Sequence, residues 1–231
     1  MKPVEKALQV RRNRHIKSPD PMLAYHRRVG VAREVWEVAE VHGSPKAKRE
    51  ARRLFLVAVA AGFELYWRDF IRILIDEDEI SIGTSPQLGR IQFSLSEVQQ
   101  IVGRKMSFGE LVSCAYTFQS AEMVNRALSD IFSIDVFGQL HREPLEFVEV
   151  PRKNRSKMRG PLIRITVSGN DVLRLVPQIQ RCFEIRHSTV HDTGTRYNLT
   201  QKETMEIEAA IGLFNTYLQL FAYKQAALHV S

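Results

Sequence analysis

Apolar residues recur with a helical period through most of the chain, and the breaks between them carry capping and turn residues. From about Met22 to Val41, Leu23, Val31, Val35, Trp36 and Ala39 return at helical spacing and predict a first long helix. Gly43-Ser44-Pro45 ends it, with Ser44 placed to cap a second helix and Pro45 to occupy its first position. This second helix reaches about Asp76. It opens on the basic run Lys46-Ala47-Lys48-Arg49-Glu50-Ala51-Arg52-Arg53, and from Leu54 through Ile75 it is nearly continuously apolar, which predicts a place at the centre of a bundle.

Glu77 to Phe93 holds Gly83, Ser85, Pro86 and Gly89 and reads as a loop. Three short helices follow. Ser94 with Glu97 and Ser107 with Glu110 fit the capping-box pattern, and Ser120 is placed to cap Ala121 to Phe132. Val136 to Val150 contains Gly138 and Pro144 and ends on the β-leaning Phe147-Val148-Glu149-Val150, which can pair with Leu162 to Val167 as a small hairpin. A further helix starts at Asn170 or Asp171, with Pro177 marking a kink or a restart. Val176, Ile179, Cys182, Phe183 and Val190 give it an apolar side. The last helix begins at a capping box, Thr200 with Glu203, and runs to about Leu228 on a core stripe of Ile207, Ala210, Ile211, Phe214, Leu218 and Phe221. The expected fold is an all-α bundle of about four long helices with short helical insertions and a small β-hairpin.

Composition places this bundle in one domain, residues 22–231, preceded by a basic arm over residues 1–21 that carries Arg11, Arg12, Arg14, His15 and Lys17. The arm lacks an apolar core and does not read as a secretory signal. No run approaches the roughly 18 apolar residues of a spanning helix, so no membrane partner is expected. Cys114 and Cys182 lie in apolar helical stretches with no CxxC pair, which fits buried thiols and a reducing, cytoplasmic setting. The net charge of +7 favours polyanionic partners through counterion release. Its densest contribution is the segment 151–161, where Arg152, Lys153, Arg155, Lys157 and Arg159 occur without an acid. That segment is either a solvated linker or a loop that grips phosphates.

The chemistry concentrates at Phe183-Glu184-Ile185-Arg186-His187-Ser188-Thr189-Val190-His191-Asp192-Thr193-Gly194. Arginine is a permanent forked cation suited to phosphate, and histidine is the side chain that moves a proton near neutrality. His187 and His191 share a helix face, whereas Arg186 and His191 diverge by roughly 140° at 3.6 residues per turn. Convergence on one ligand requires a wrapped arginine, a helix loosened towards Gly194 as its C′ residue, or a second subunit. The same residues would also suit a plain surface helix end, where Arg and His favour the negative end of the dipole. Glu64, set among apolar residues of the second helix, calls for a cation. Arg186 or His187 would serve, as would Arg68 one turn on. The His187/His191 spacing also suits zinc, but no HExxH or cysteine pair accompanies it. There is no GxxxxGK[ST], GxGxxG or GxSxG. His15, His26, His42, His141 and His229 are scattered and read as surface or capping residues.

Arg186-His187-Ser188-Thr189-Val190-His191 resembles the R-x4-6-H motif of the HEPN superfamily, in which a polar Asn, Asp or His usually follows the arginine. Val190-His191-Asp192-Thr193-Gly194 is similar to the VHxxG ending common there, and Ala58 to Asp76 to its long early helix. Phe108-Gly109-Glu110-Leu111-Val112 with Ala121 to Asp135 adds a weaker likeness, and the chain as a whole resembles the RiboL-PSP or MAE type of the superfamily. The resemblance implies a HEPN-like bundle and a metal-independent endoribonuclease with no cofactor, leaving 2′,3′-cyclic phosphate and 5′-hydroxyl ends. Arg186, His187 and His191 would be its catalytic residues; Arg152, Lys153, Arg155, Lys157 and Arg159 of the basic segment, read from their charge and not from the resemblance, are the candidate RNA contacts. It further implies a homodimer with a composite site and a toxin or antiviral defence role restrained by an antitoxin or regulatory protein. The alternative within the resemblance is a catalytically inactive HEPN module that binds RNA or nucleotides, or only dimerises.

Overall fold

The structure, a computed structural model, describes residues 20–76, 94–103, 106–149, 163–191 and 197–230. Residues 1–19 of the basic arm, the predicted loop 77–93, the basic segment 151–161 and Gly194 lie outside the described residues.

Two long antiparallel helices open the fold. In α1 (Pro21–His42) the Asp20 carboxylate caps the first turn, accepting from the N–H groups of Met22 and Leu23 at 2.8 and 3.2 Å. Pro21 is thus the first residue of the bundle rather than the last of the arm. Ser44 caps α2 (Pro45–Asp76) through Ala47 N–H at 3.3 Å. The face α1 turns to α2 is not the one the spacing suggested. Ala24, Tyr25, Val29 and Trp36 are buried, while Leu23, Val31 and Val35 face outward. Aromatic size decides this: Trp36 stacks on Phe55 with ring centroids 4.7 Å apart, burying more apolar area than a valine can. At Gly62 the two helices approach so closely that a Cβ would lie 3.1 Å from Tyr25 and Val29.

The short helices α3 (Leu95–Gly103), α4 (Phe108–Ala115) and α5 (Ala121–Phe132) start where the capping residues predict. Ser107 and Glu110 form both bonds of a capping box, and Ser120 accepts from Met123 N–H at 3.3 Å. The side chain of Glu97 lies outside the described residues. The sequence reading missed α6 (Val136–Arg142), whose cap Asp135 makes no side-chain bond and whose single turn pair is held by burial of Val136 and Leu140. Strands β1 (Leu145–Glu149) and β2 (Ile163–Val167) pair antiparallel, with Phe147 opposite Ile165.

The predicted start at Asn170 or Asp171 moves back to a short helix, α7 (Gly169–Leu173), capped by Ser168 and Asp171. The chain then restarts as α8 (Val176–His191), with Pro177 in its first turn, where no N–H is required. Thr200 caps α9 (Gln201–Val230) through Glu203 N–H at 3.1 Å, and all six predicted stripe residues of α9 are buried. The result is an all-α bundle with a small two-stranded sheet. Its centre is α2, whose Phe63, Tyr66, Trp67 and Phe70 are fully enclosed. Polar pins fix the register around it: Trp67 Nε1 donates to Asn215 Oδ1 at 2.9 Å and Tyr66 to Gln219 Oε1 at 2.9 Å. No described helix is long and apolar enough to cross a membrane.

Candidate functional site

Helix α8 presents its inner face through residues three apart. Ile179, Cys182, Ile185 and Ser188 are buried, and the Cys182 thiol donates to the Leu56 carbonyl of α2 at 3.4 Å. Because consecutive residues turn by about 100°, Arg186 falls beside this buried line and His187 beyond it, facing outward. The helix is regular as far as His191, the stretch towards Gly194 lying outside the described residues, and Thr189 Oγ1 bonds back to the Ile185 carbonyl at 2.7 Å.

Arg186 turns towards α2, where its Nη1 donates to Glu64 Oε1. Glu64 is only 8 % exposed and also faces Arg68 across 4.0 Å, so two of its three predicted partners, Arg186 and Arg68, meet it. One carboxylate between two guanidinium groups leaves a local excess of one positive charge. Phe183 supports the arginine: its ring packs edge-on against Phe63 at 5.7 Å, with the Arg186 guanidinium carbon 6.0 Å from its centre. The rings of His187 and His191 are both exposed, with centroids 4.7 Å apart.

Arg186, His187 and His191 all line one cavity of about 420 Å³. Its opposite wall is Gln119 and Ser120, the residues that lead into α5. The two walls come from distant parts of the sequence, and nothing in the spacing of Gln119 and Ser120 joins them to α8. Ser120 was legible only as a cap. Val190, expected on the apolar side of α8, is 58 % exposed and lines the cavity instead. A five-residue step from Ile185 explains it, since that step turns Val190 well away from the buried line. The arrangement offers a fixed cation, two adjacent imidazoles and short polar groups, a set suited to an anionic ester. Among the described residues no group of three or more His, Cys, Asp or Glu side chains gathers as a metal site. Arg152, Lys153, Arg155, Lys157 and Arg159 lie outside the described residues. Comparison of the chain with known protein families, with curated proteins and with solved structures finds no significant match.

Proposed function

We propose that this protein is a metal-independent endoribonuclease of the HEPN type. The observation that carries the reading is that Arg186, His187 and His191 line a single cavity although Arg186 points to Glu64 from a different side of α8. An RNA phosphodiester in that cavity would lie against Arg186, which stabilises the charge gathering on the phosphorane. His191 takes the 2′-hydroxyl proton or delivers one to the leaving 5′-oxygen, and its neighbour His187 orients the phosphate or shares in the transfer. The 2′-oxygen bonds to phosphorus, the P–O5′ bond breaks, and the products are a 2′,3′-cyclic phosphate and a 5′-hydroxyl. By the resemblance, a second copy faces this cavity, and a regulatory protein restrains a toxin or defence activity.

Purified wild type and His191→Ala are incubated with total RNA, tRNA and DNA in EDTA. Expected is cleavage of RNA alone with cyclic-phosphate ends, reduced about a hundredfold or more in the variant. Equal cleavage of DNA, or a fully active His191→Ala protein, rules the mechanism out. A second reading, a module that only binds RNA, is favoured by the engagement of Arg186 with Glu64, which is also what a purely structural arginine would show. Retained RNA binding without cleavage by any form supports that reading. In either case binding weakens as salt rises, as the +7 charge requires.

A further inference from the structure

Helix α1 carries a row of valines on the side away from α2: Val31, Val35, Val38 and Val41 are 66, 65, 63 and 71 % exposed. Valine is a poor choice for an exposed helix position, because branching at Cβ restricts its rotamers and lowers helix propensity. Folding of the single chain therefore gives no reason for four of them along one face. Contiguous exposed apolar surface of this kind marks contact with a partner.

Two further features of α1 indicate which partner. Arg27, Val31, Glu34, Val38 and Val41 step by four, three, four and three residues, the spacing of a helix-pairing seam. Arg27 and Glu34 are both exposed, and among the described residues neither has an ion-pair partner within the chain. Midway between them stands Gly30, around which a Cβ would meet nothing within 4 Å. The fold of one chain thus leaves room for a side chain there, although glycine in mid-helix is less favourable than alanine.

We infer that α1 is a self-association surface that packs antiparallel on α1 of a second copy of this chain, crossing at Gly30 and Val31. A two-fold axis at that point sets Arg27 of each copy against Glu34 of the other and Leu23 against Val38. The glycine lets the backbones approach at the crossing. A parallel pair in register would put Glu34 on Glu34 and Arg27 on Arg27, so the order of charges selects the antiparallel arrangement. None of these residues lines the α8 cavity, and the contact stands whether or not the chain cleaves RNA.

The test is the solution mass of the full chain, by sedimentation equilibrium or light scattering over a wide concentration range. The wild type is expected at no less than twice the chain mass. Arg27→Glu and Glu34→Arg each place like charges across the seam and weaken association tenfold or more, halving the observed mass, and the double swap restores it. Melting temperatures check that each variant folds. A monomeric wild type, single swaps that associate normally, or a double swap no tighter than the singles overturns the inference. So does an assembly that dissociates in Val190→Glu yet is indifferent to the α1 variants, since its interface would then lie at the α8 cavity.

Discussion

Glu64 ties the central helix to the candidate site on α8. Its carboxylate is buried in the central helix, bonded to Arg186 and facing Arg68, so its removal leaves two guanidinium groups opposed with no anion between them. Breaking a fully buried ion pair costs about 3–5 kcal/mol. Arg186 keeps part of its side chain in water, which screens the exposed half of the interaction, so Glu64→Ala should cost about 2 kcal/mol. Urea unfolding measures this, and a loss under about 0.5 kcal/mol would show the pair to be ornamental. Arg186→Ala should be milder, because Arg68 remains within reach of the carboxylate.

At the level of elements, helix caps and close approaches set where each helix begins and how near it lies to its neighbours. Arg52 of α2 clamps Glu40 of α1 and donates to the Leu199 carbonyl just before α9 at 2.7 Å, tying three elements at one corner. At the opposite end of α2, Gly109 opens α4 against it. A Cβ at Gly109 would lie 2.4 Å from the Arg72 carbonyl and 2.7 Å from the Asp76 carboxylate, which accepts the Gly109 N–H at 2.8 Å. Gly109→Ala must push α4 away and lengthen that bond, and should cost about 1–3 kcal/mol. Gly212→Ala is the control. It sits in α9 with open space around its Cβ position and should gain up to about 1 kcal/mol. Thermal melts that rank the two the other way would contradict the packing of α4 on α2.

For the whole molecule, enclosure in one aromatic core makes stability depend on pH in a definite direction. Burial pushes the Cys182 thiol up to about 12 and raises the phenols of Tyr25, Tyr66 and Tyr116 well above their usual range. These groups are held protonated by the fold. Their stabilisation is complete below the ordinary thiol value near about 8.5 and the ordinary phenol value near about 10, and is lost as pH rises towards the raised values. The Arg52 hydrogen bond lowers the Glu40 carboxyl, and Ser168 lowers Asp171. Their contribution is present above the ordinary carboxylate range near about pH 4 and fades as pH falls below it. A urea midpoint that falls from about pH 9 upward and again below about pH 4 is expected, with Cys182 resisting alkylation at pH 8 until the protein unfolds. A flat profile above pH 9 would mean these groups reach water. The same enclosure marks what a chain of residues can declare by itself. Helix starts at Ser44, Ser107, Ser120 and Thr200, the α9 stripe, the hairpin and the Arg186, His187, His191 cluster were legible, because capping and periodicity act between residues a few positions apart. The orientation of α1, the existence of α6, the union of Gln119 and Ser120 with α8, and the meeting of Arg186 with Glu64 were decided only in the tertiary structure. Each of these depends on which distant surface buries the most apolar area and leaves no charge unpaired, and that competition is settled only when the helices pack.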